Sequence, residues 1–221
     1  MAARMSKAEW LRRRKRKKLI RRYTILGGLA LIVLLILIIF IKLLSFAFSG
    51  NDGIIKKAGK VKIEKKLLTV DEHTRCTEKL EKVKGIIIHE SGMPGMSANK
   101  LYDYYEEIGK NDTAYESVHF IVDTDGSIIQ TIPCDEIAYH ALTKNKDCLA
   151  IQYCYANEEG AMTGDTYKSM VSLCAKLCKK YKLKTDDIYL HHDATGVMCP
   201  KYYVENTESW QKFLSDVADE M

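Results

Sequence analysis

The chain has 221 residues, 47% of them hydrophobic, with 34 Lys and Arg against 29 Asp and Glu for a net charge of +5. That length allows one ordinary domain with an appendage. Residues 1–22 hold eleven Lys and Arg against the single Glu9, a local +10 that leaves residues 23–221 at −5. The basic balance therefore belongs to a tail, and the main domain has no nucleic-acid-binding character.

Directly after the tail, Tyr23–Ile41 runs nineteen residues without a charge, dominated by Ile and Leu. As a helix rising about 1.5 Å per residue it covers roughly 28 Å, close to the hydrocarbon thickness of a bilayer. Lys42 can snorkel and Leu43–Phe48 continues the apolar run. Ala47-Phe48-Ser49 is a weak cleavage site, and the apolar stretch is longer than a signal peptide needs. The expectation is a single N-terminal transmembrane helix at 23–48, with 1–22 a cytoplasmic tail and the C-terminal domain outside the cell. Residues 49–66 carry six Lys and read as a juxtamembrane linker, and the globular domain is expected at 67–221.

Within that domain, Val83–His89 is short, β-branched and bounded by Lys-rich sequence and by Gly92-Met93-Pro94-Gly95, a buried strand. Ser97–Ile108 places Leu101, Tyr104, Tyr105 and Ile108 at helical spacing, with Ser97 as N-cap and Gly109 as the stop. Ser117–Asp123 and Ser127–Ile132 flank Thr124-Asp125-Gly126, a hairpin signal. Leu149–Tyr155 is a further strand, Asp165–Leu183 an amphipathic helix, Asp187–Leu190 a short strand and Glu208–Glu220 a last helix. Strands interleaved with helices predict an α/β fold with a mixed central β-sheet flanked by helices.

The chemistry concentrates in His191-His192-Asp193-Ala194-Thr195-Gly196-Val197-Met198-Cys199-Pro200. Imidazole nitrogen and thiolate sulfur are both zinc donors, and the Asp-Ala-Thr-Gly segment can bend a His and Cys199 towards one ion. A loop with a satisfied histidine pair and a small buried Cys is the plain alternative. His89 and His191 each end a predicted strand, which would bring them to one edge of the sheet with Cys199. The remaining six cysteines leave their pairing open in an exported domain.

GIIIHES, SVHFIVDTDGSIIQTIP, EIAYHA, TYKSMVSLCAKLCKKYKL and HHDATGVMCPKYYV, in this order over about residues 67–217, resemble the zinc-dependent N-acetylmuramoyl-L-alanine amidases of the peptidoglycan-recognition and phage-lysozyme superfamily. The resemblance implies Zn2+ held by His89, His191 and Cys199. It also implies peptidoglycan as substrate and hydrolysis of the amide between N-acetylmuramic acid and L-alanine. Two positions depart from the family pattern: Gln152 stands where many members have a Glu base, and Val197 where many have a Lys supporting the oxyanion. Gln152 can orient a water but cannot take its proton at neutral pH, so His140 and His192 are the candidate substitutes, with Glu90 behind them. His119, mid-strand, reads as structural, and Asp193 as a residue steadying a His ligand. The expected protein is a single-pass, membrane-anchored amidase, monomeric. The alternative is a module that binds muropeptides in the same cleft without cleaving them.

Overall fold

The computed structural model describes residues 15–17, 57–58 and 61–221. The chain divides into two compact units, Met1–Gly50 and Asn51–Met221. In the first, residues 15–17 are helical; the predicted membrane span at 23–48 lies outside the described residues. Among the described residues no helix is long and apolar enough to cross a membrane.

The second unit is built on strands β1 (Lys57–Ala58), β2 (Val61–Lys65), β3 (Gly85–Glu90), β4 (Phe120–Val122), β5 (Ile128–Gln130), β6 (Cys148–Tyr153) and β7 (Ile188–Leu190). They form one sheet in the order β1-β2-β5-β4-β6-β3-β7. β4 and β5 pair antiparallel, as do β1 and β2, while β4–β6, β6–β3, β3–β7 and β2–β5 are parallel. The sheet is mixed, as the sequence predicts. The stretch read as a linker instead contributes β2, which pairs with β5 from Ile63 to Lys65. Its alternation of Lys and apolar residues is that of a strand with one buried face, and Ile63 is the residue it buries.

Helices α1 (Ala98–Asn111), α2 (Gly164–Tyr181) and α5 (Thr207–Glu220) cover the two faces, with single-turn helices α3 (His191–Thr195) and α4 (Lys201–Glu205) between β7 and α5. Because side chains alternate along a strand, Ile86, Ile88, Phe120, Leu149, Ile151 and Tyr153 face one way and pack with Met170, Leu173, Leu177, Phe213 and Val217 of α2 and α5. Ile121, Ile129 and Ala150 face the other and pack with Leu101, Tyr105 and Ile108 of α1. Each such fully buried side chain contributes about 1.5–3 kcal/mol of transfer free energy.

Local chemistry sets the boundaries. Ser97 caps α1, its Oγ accepting the Lys100 N–H. Gly109 does not end the helix, which runs on to Asn111 and closes at Asp112 in the left-handed region. Its glycine serves close approach: a Cβ there would lie 2.5 Å from the Asp71 carboxylate, which the helix packs against. At the β4–β5 hairpin Gly126 takes φ +79°, and a Cβ would meet the Asp165 carbonyl at 2.8 Å. No disulfide links any of the seven cysteines; the largest sheet-and-helix core needs none.

Candidate metal centre and cleft

β3, β6 and β7 run parallel, so their C-terminal ends open on one edge of the sheet. His89 is the penultimate residue of β3, and the register sets it directly beside Gln152 of β6. His191 follows β7 without an intervening residue and opens α3. α3 is held by the Asp193 carboxylate, which accepts the Leu190 N–H at 2.9 Å, and by Thr195 Oγ1 donating to the His191 carbonyl at 3.0 Å. Gly196 ends this turn, and the chain doubles back so that the His192 N–H reaches the Cys199 carbonyl at 2.9 Å. Cys199 is thereby returned to His191, and the Glu90 backbone N–H points at its sulfur.

The outcome is a cluster in which one donor atom from each of His89, His191 and Cys199 lies within 4.8 Å of the others. It opens into a cleft of about 570 Å³. The electrostatics suit a cation. Burial first, and then the neighbouring His140 and His191, holds the His89 imidazole far below its ordinary value, and burial also lowers His191, so both rings are neutral with lone pairs available. Burial pushes the Cys199 thiol up to about 11, partly offset by the Glu90 N–H, so without an ion it keeps its proton.

His140 lies behind His89, with its Nδ1 3.2 Å from His89 Nε2 and its Nε2 3.3 Å from the Cys148 carbonyl. Burial pushes its pKa down to about 3, so the ring is neutral and carries one hydrogen. A carbonyl only accepts, so that hydrogen is on Nε2. Nδ1 then accepts from His89 Nε2–H, and His89 Nδ1 is the nitrogen left for an ion. Both nitrogens of His140 are engaged. The segment that delivers it is pinned from below: Arg75 grips the Glu136 carboxylate with Nε at 2.8 Å and a second nitrogen at 3.2 Å, and the Asn145 side chain accepts the His140 and Ala141 N–H groups.

Gln152 lines the cleft with both ends of its amide held: Oε1 accepts the Tyr105 hydroxyl at 2.6 Å and Nε2 donates to the Glu90 carbonyl at 3.0 Å. His192, by contrast, is half-exposed, sits 3.9 Å from Asp193 and is not among the cleft residues. Glu90 alternates away from His89. Its carboxylate meets the Lys201 N–H, and Oε2 is buried without a hydrogen-bond partner. His119 is fully buried, taking the Ala150 N–H at Nδ1 and donating from Nε2 to the Glu136 carbonyl.

A family model described as N-acetylmuramoyl-L-alanine amidase matches residues 79–202, which contain every residue of this cluster. The chain belongs to that family. The amidase CwlL of Bacillus licheniformis is 31% identical over 71% of this chain and 47% of its own length, and the amidase BlyA of Bacillus subtilis 29% over 70% and 46%. The chain thus spans about half the length of the curated amidases it matches. Among solved structures, PlyL aligns with a TM-score of 0.60 at 22% identity over 71% of this chain and 97% of that one. A mutant endolysin from Bacillus subtilis aligns at 0.58 and 23% over 71% and 99%. At those identities the likeness is one of fold.

Two neutral imidazoles and a sulfur converging within 4.8 Å are the donor chemistry of a zinc site with its fourth position open, so the residues present fit the ion associated with the amidase family. Cleft residues that sequence reasoning did not single out include Tyr115, Glu116, Tyr139, Leu142 and Asn145. Tyr139 lies in the EIAYHA block, where only His140 stood out; the others carry no periodicity or motif signal and reach the cleft through loop conformation. Tyr105 was visible as a helix-face residue, but its bond to Gln152 depends on packing between α1 and β6.

Proposed function

We propose that this protein is a membrane-anchored peptidoglycan hydrolase that cleaves the amide between the lactyl group of N-acetylmuramic acid and L-alanine, using zinc held by His89, His191 and Cys199. The observation that carries this reading is the three-donor cluster at the floor of an open cleft in a domain of the amidase family. Zinc, when bound, lowers the pKa of water towards about 7 and polarises a carbonyl oxygen.

The chain's own groups do the rest. His140 fixes the His89 tautomer and so keeps Nδ1 turned to the ion. Gln152, beside His89 and anchored by Tyr105, has one amide hydrogen and one oxygen lone pair still available, which orient a water or the scissile amide without taking a proton. The His192 side chain stays outside the cleft, and its backbone N–H holds the Cys199 loop closed. The apolar run at 23–48, preceded by the +10 tail, supports a single-pass anchor with the domain extracytoplasmic. Membrane pellets that release the chain on carbonate washing would contradict the anchor. We further propose that it acts as a monomer.

A second reading is favoured by Gln152 itself: with an amide beside His89 that cannot take a proton, the same site would retain muropeptides uncleaved. Digestion of purified peptidoglycan by the full-length zinc-loaded chain in detergent separates the two. Release of new L-alanine amino termini is the expected result. Retention of muropeptide with no release would overturn the hydrolase and leave the binding module.

A further inference from the structure

Val197 and Met198, the two residues before Cys199, are both more than half exposed, so apolar packing does not place the sulfur from that side. On the other side α4 starts directly after Pro200, whose side chain offers no cap. The first N–H groups of the helix therefore find no acceptor within it. The acceptor comes from β3. Glu90, the last residue of that strand and the neighbour of His89, presents its carboxylate to the Lys201 N–H. Its backbone N–H points at Cys199 Sγ, and its carbonyl takes the Gln152 Nε2–H at 3.0 Å. One residue thus touches the Cys199 sulfur, the main chain two residues beyond it and the amide beside His89.

The carboxylate does not stabilise its own surroundings. Its Oε2 is buried with no hydrogen-bond partner, and a Cβ on Gly160 would lie 3.4 Å from that oxygen. A buried acceptor left unpaired is unfavourable, and an apolar side chain of similar size would avoid the loss. What an apolar side chain would not supply is the acceptor for Lys201.

We infer that Glu90 is a positioning residue for the metal centre: by accepting the Lys201 N–H it clamps the 199–201 segment to the end of β3 and keeps Cys199 Sγ in the cluster with His89 and His191. The inference rests on the zinc reading of that cluster. Without the clamp, Cys199 keeps the bond from the His192 N–H to its carbonyl, which ties the segment to α3 alone. A ligand that loses its supporting contact typically costs about 10–100-fold in metal affinity. Glu90 is thereby a support for the thiolate and not the base.

The test uses the full-length chain in detergent. Zinc affinity is read by chelator competition, and the Cys199 contact is read with Co2+ as thiolate-to-cobalt charge-transfer absorption. Glu90→Ala should weaken zinc about 10–100-fold and diminish that absorption. Glu90→Gln, whose amide oxygen can accept the same N–H, should restore both. Lys201→Pro removes the bond from the other side, at a first helical position that suits proline, and should reproduce the Glu90→Ala loss. Native affinity in Glu90→Ala, a Glu90→Gln chain as weak as Glu90→Ala, or native affinity in Lys201→Pro would each overturn the inference. If Glu90→Ala does not fold, Glu90→Gln and Lys201→Pro still decide it. Release of L-alanine amino termini is scored separately. The expected metal pattern without release would sink the hydrolase and spare the clamp; release with zinc affinity indifferent to Glu90 would do the reverse.

Discussion

His140 and Gln152 flank His89 from two sides, and the roles given them here differ in what their loss should do. His140 fixes a tautomer, so His140→Ala should weaken zinc binding about 10–100-fold, measured by chelator competition, because an unsupported His ligand loses orientation and basicity. If His140 were instead the base, zinc affinity would hold and the acid limb of the pH–rate profile would vanish. Gln152 holds position without proton affinity. Gln152→Glu should raise kcat at neutral pH at least about tenfold, within the range a positioned general base supplies; an unchanged or lower kcat would mean another group already takes the proton. The metal set was legible in the sequence because each ligand ends a strand or lies at a fixed spacing. The partners of His140 were not, since a carbonyl at Cys148 and a ring at His89 are brought together only by the loop at 139–146.

At the scale of elements, the strands and long helices follow from alternation and 3.6-residue periodicity, and the structure moves their ends by a few residues. Where the reading failed, a tertiary contact explains the local signal: residue 109 is glycine to admit Asp71 and not to stop the helix, and Val61–Lys65 is a strand because β5 offers an edge. Two elements support the cleft from beneath. In β4's approach, His119 is buried and its pKa pushed down to about 4 from an ordinary 6.5 by burial. Its folded-state pKa lies below the unfolded one, so its neutral form favours folding fully above pH 6.5, and that contribution is lost as pH falls towards 4. The size is on the order of 3 kcal/mol. Denaturant titrations of the metal-free chain should show stability falling across that window, and more shallowly in His119→Gln. A curve as steep in the variant would place the proton uptake elsewhere. The Arg75–Glu136 pair, largely buried on both sides, ties the loop before β3 to the segment carrying Tyr139 and His140. Arg75→Ala leaves the carboxylate uncompensated and should cost about 3 kcal/mol, read as a lowered Tm.

Over the whole molecule, charge and hydropathy separate a basic tail and an apolar run from an acidic-balanced domain that carries the chemistry, and the sheet edge gathers donors from positions more than a hundred residues apart. Order along the chain and the family resemblance make this arrangement legible in the sequence. The proposed function stands on His89, His191 and Cys199 forming a zinc centre that cleaves the muramoyl–alanine amide. The most direct measurement is release of L-alanine amino termini from purified peptidoglycan by the full-length chain, native and Cys199→Ser, before and after chelation and zinc repletion. The expected result is release that chelator abolishes, zinc restores and the variant lacks. Release that survives chelation, or persists undiminished in Cys199→Ser, would contradict it.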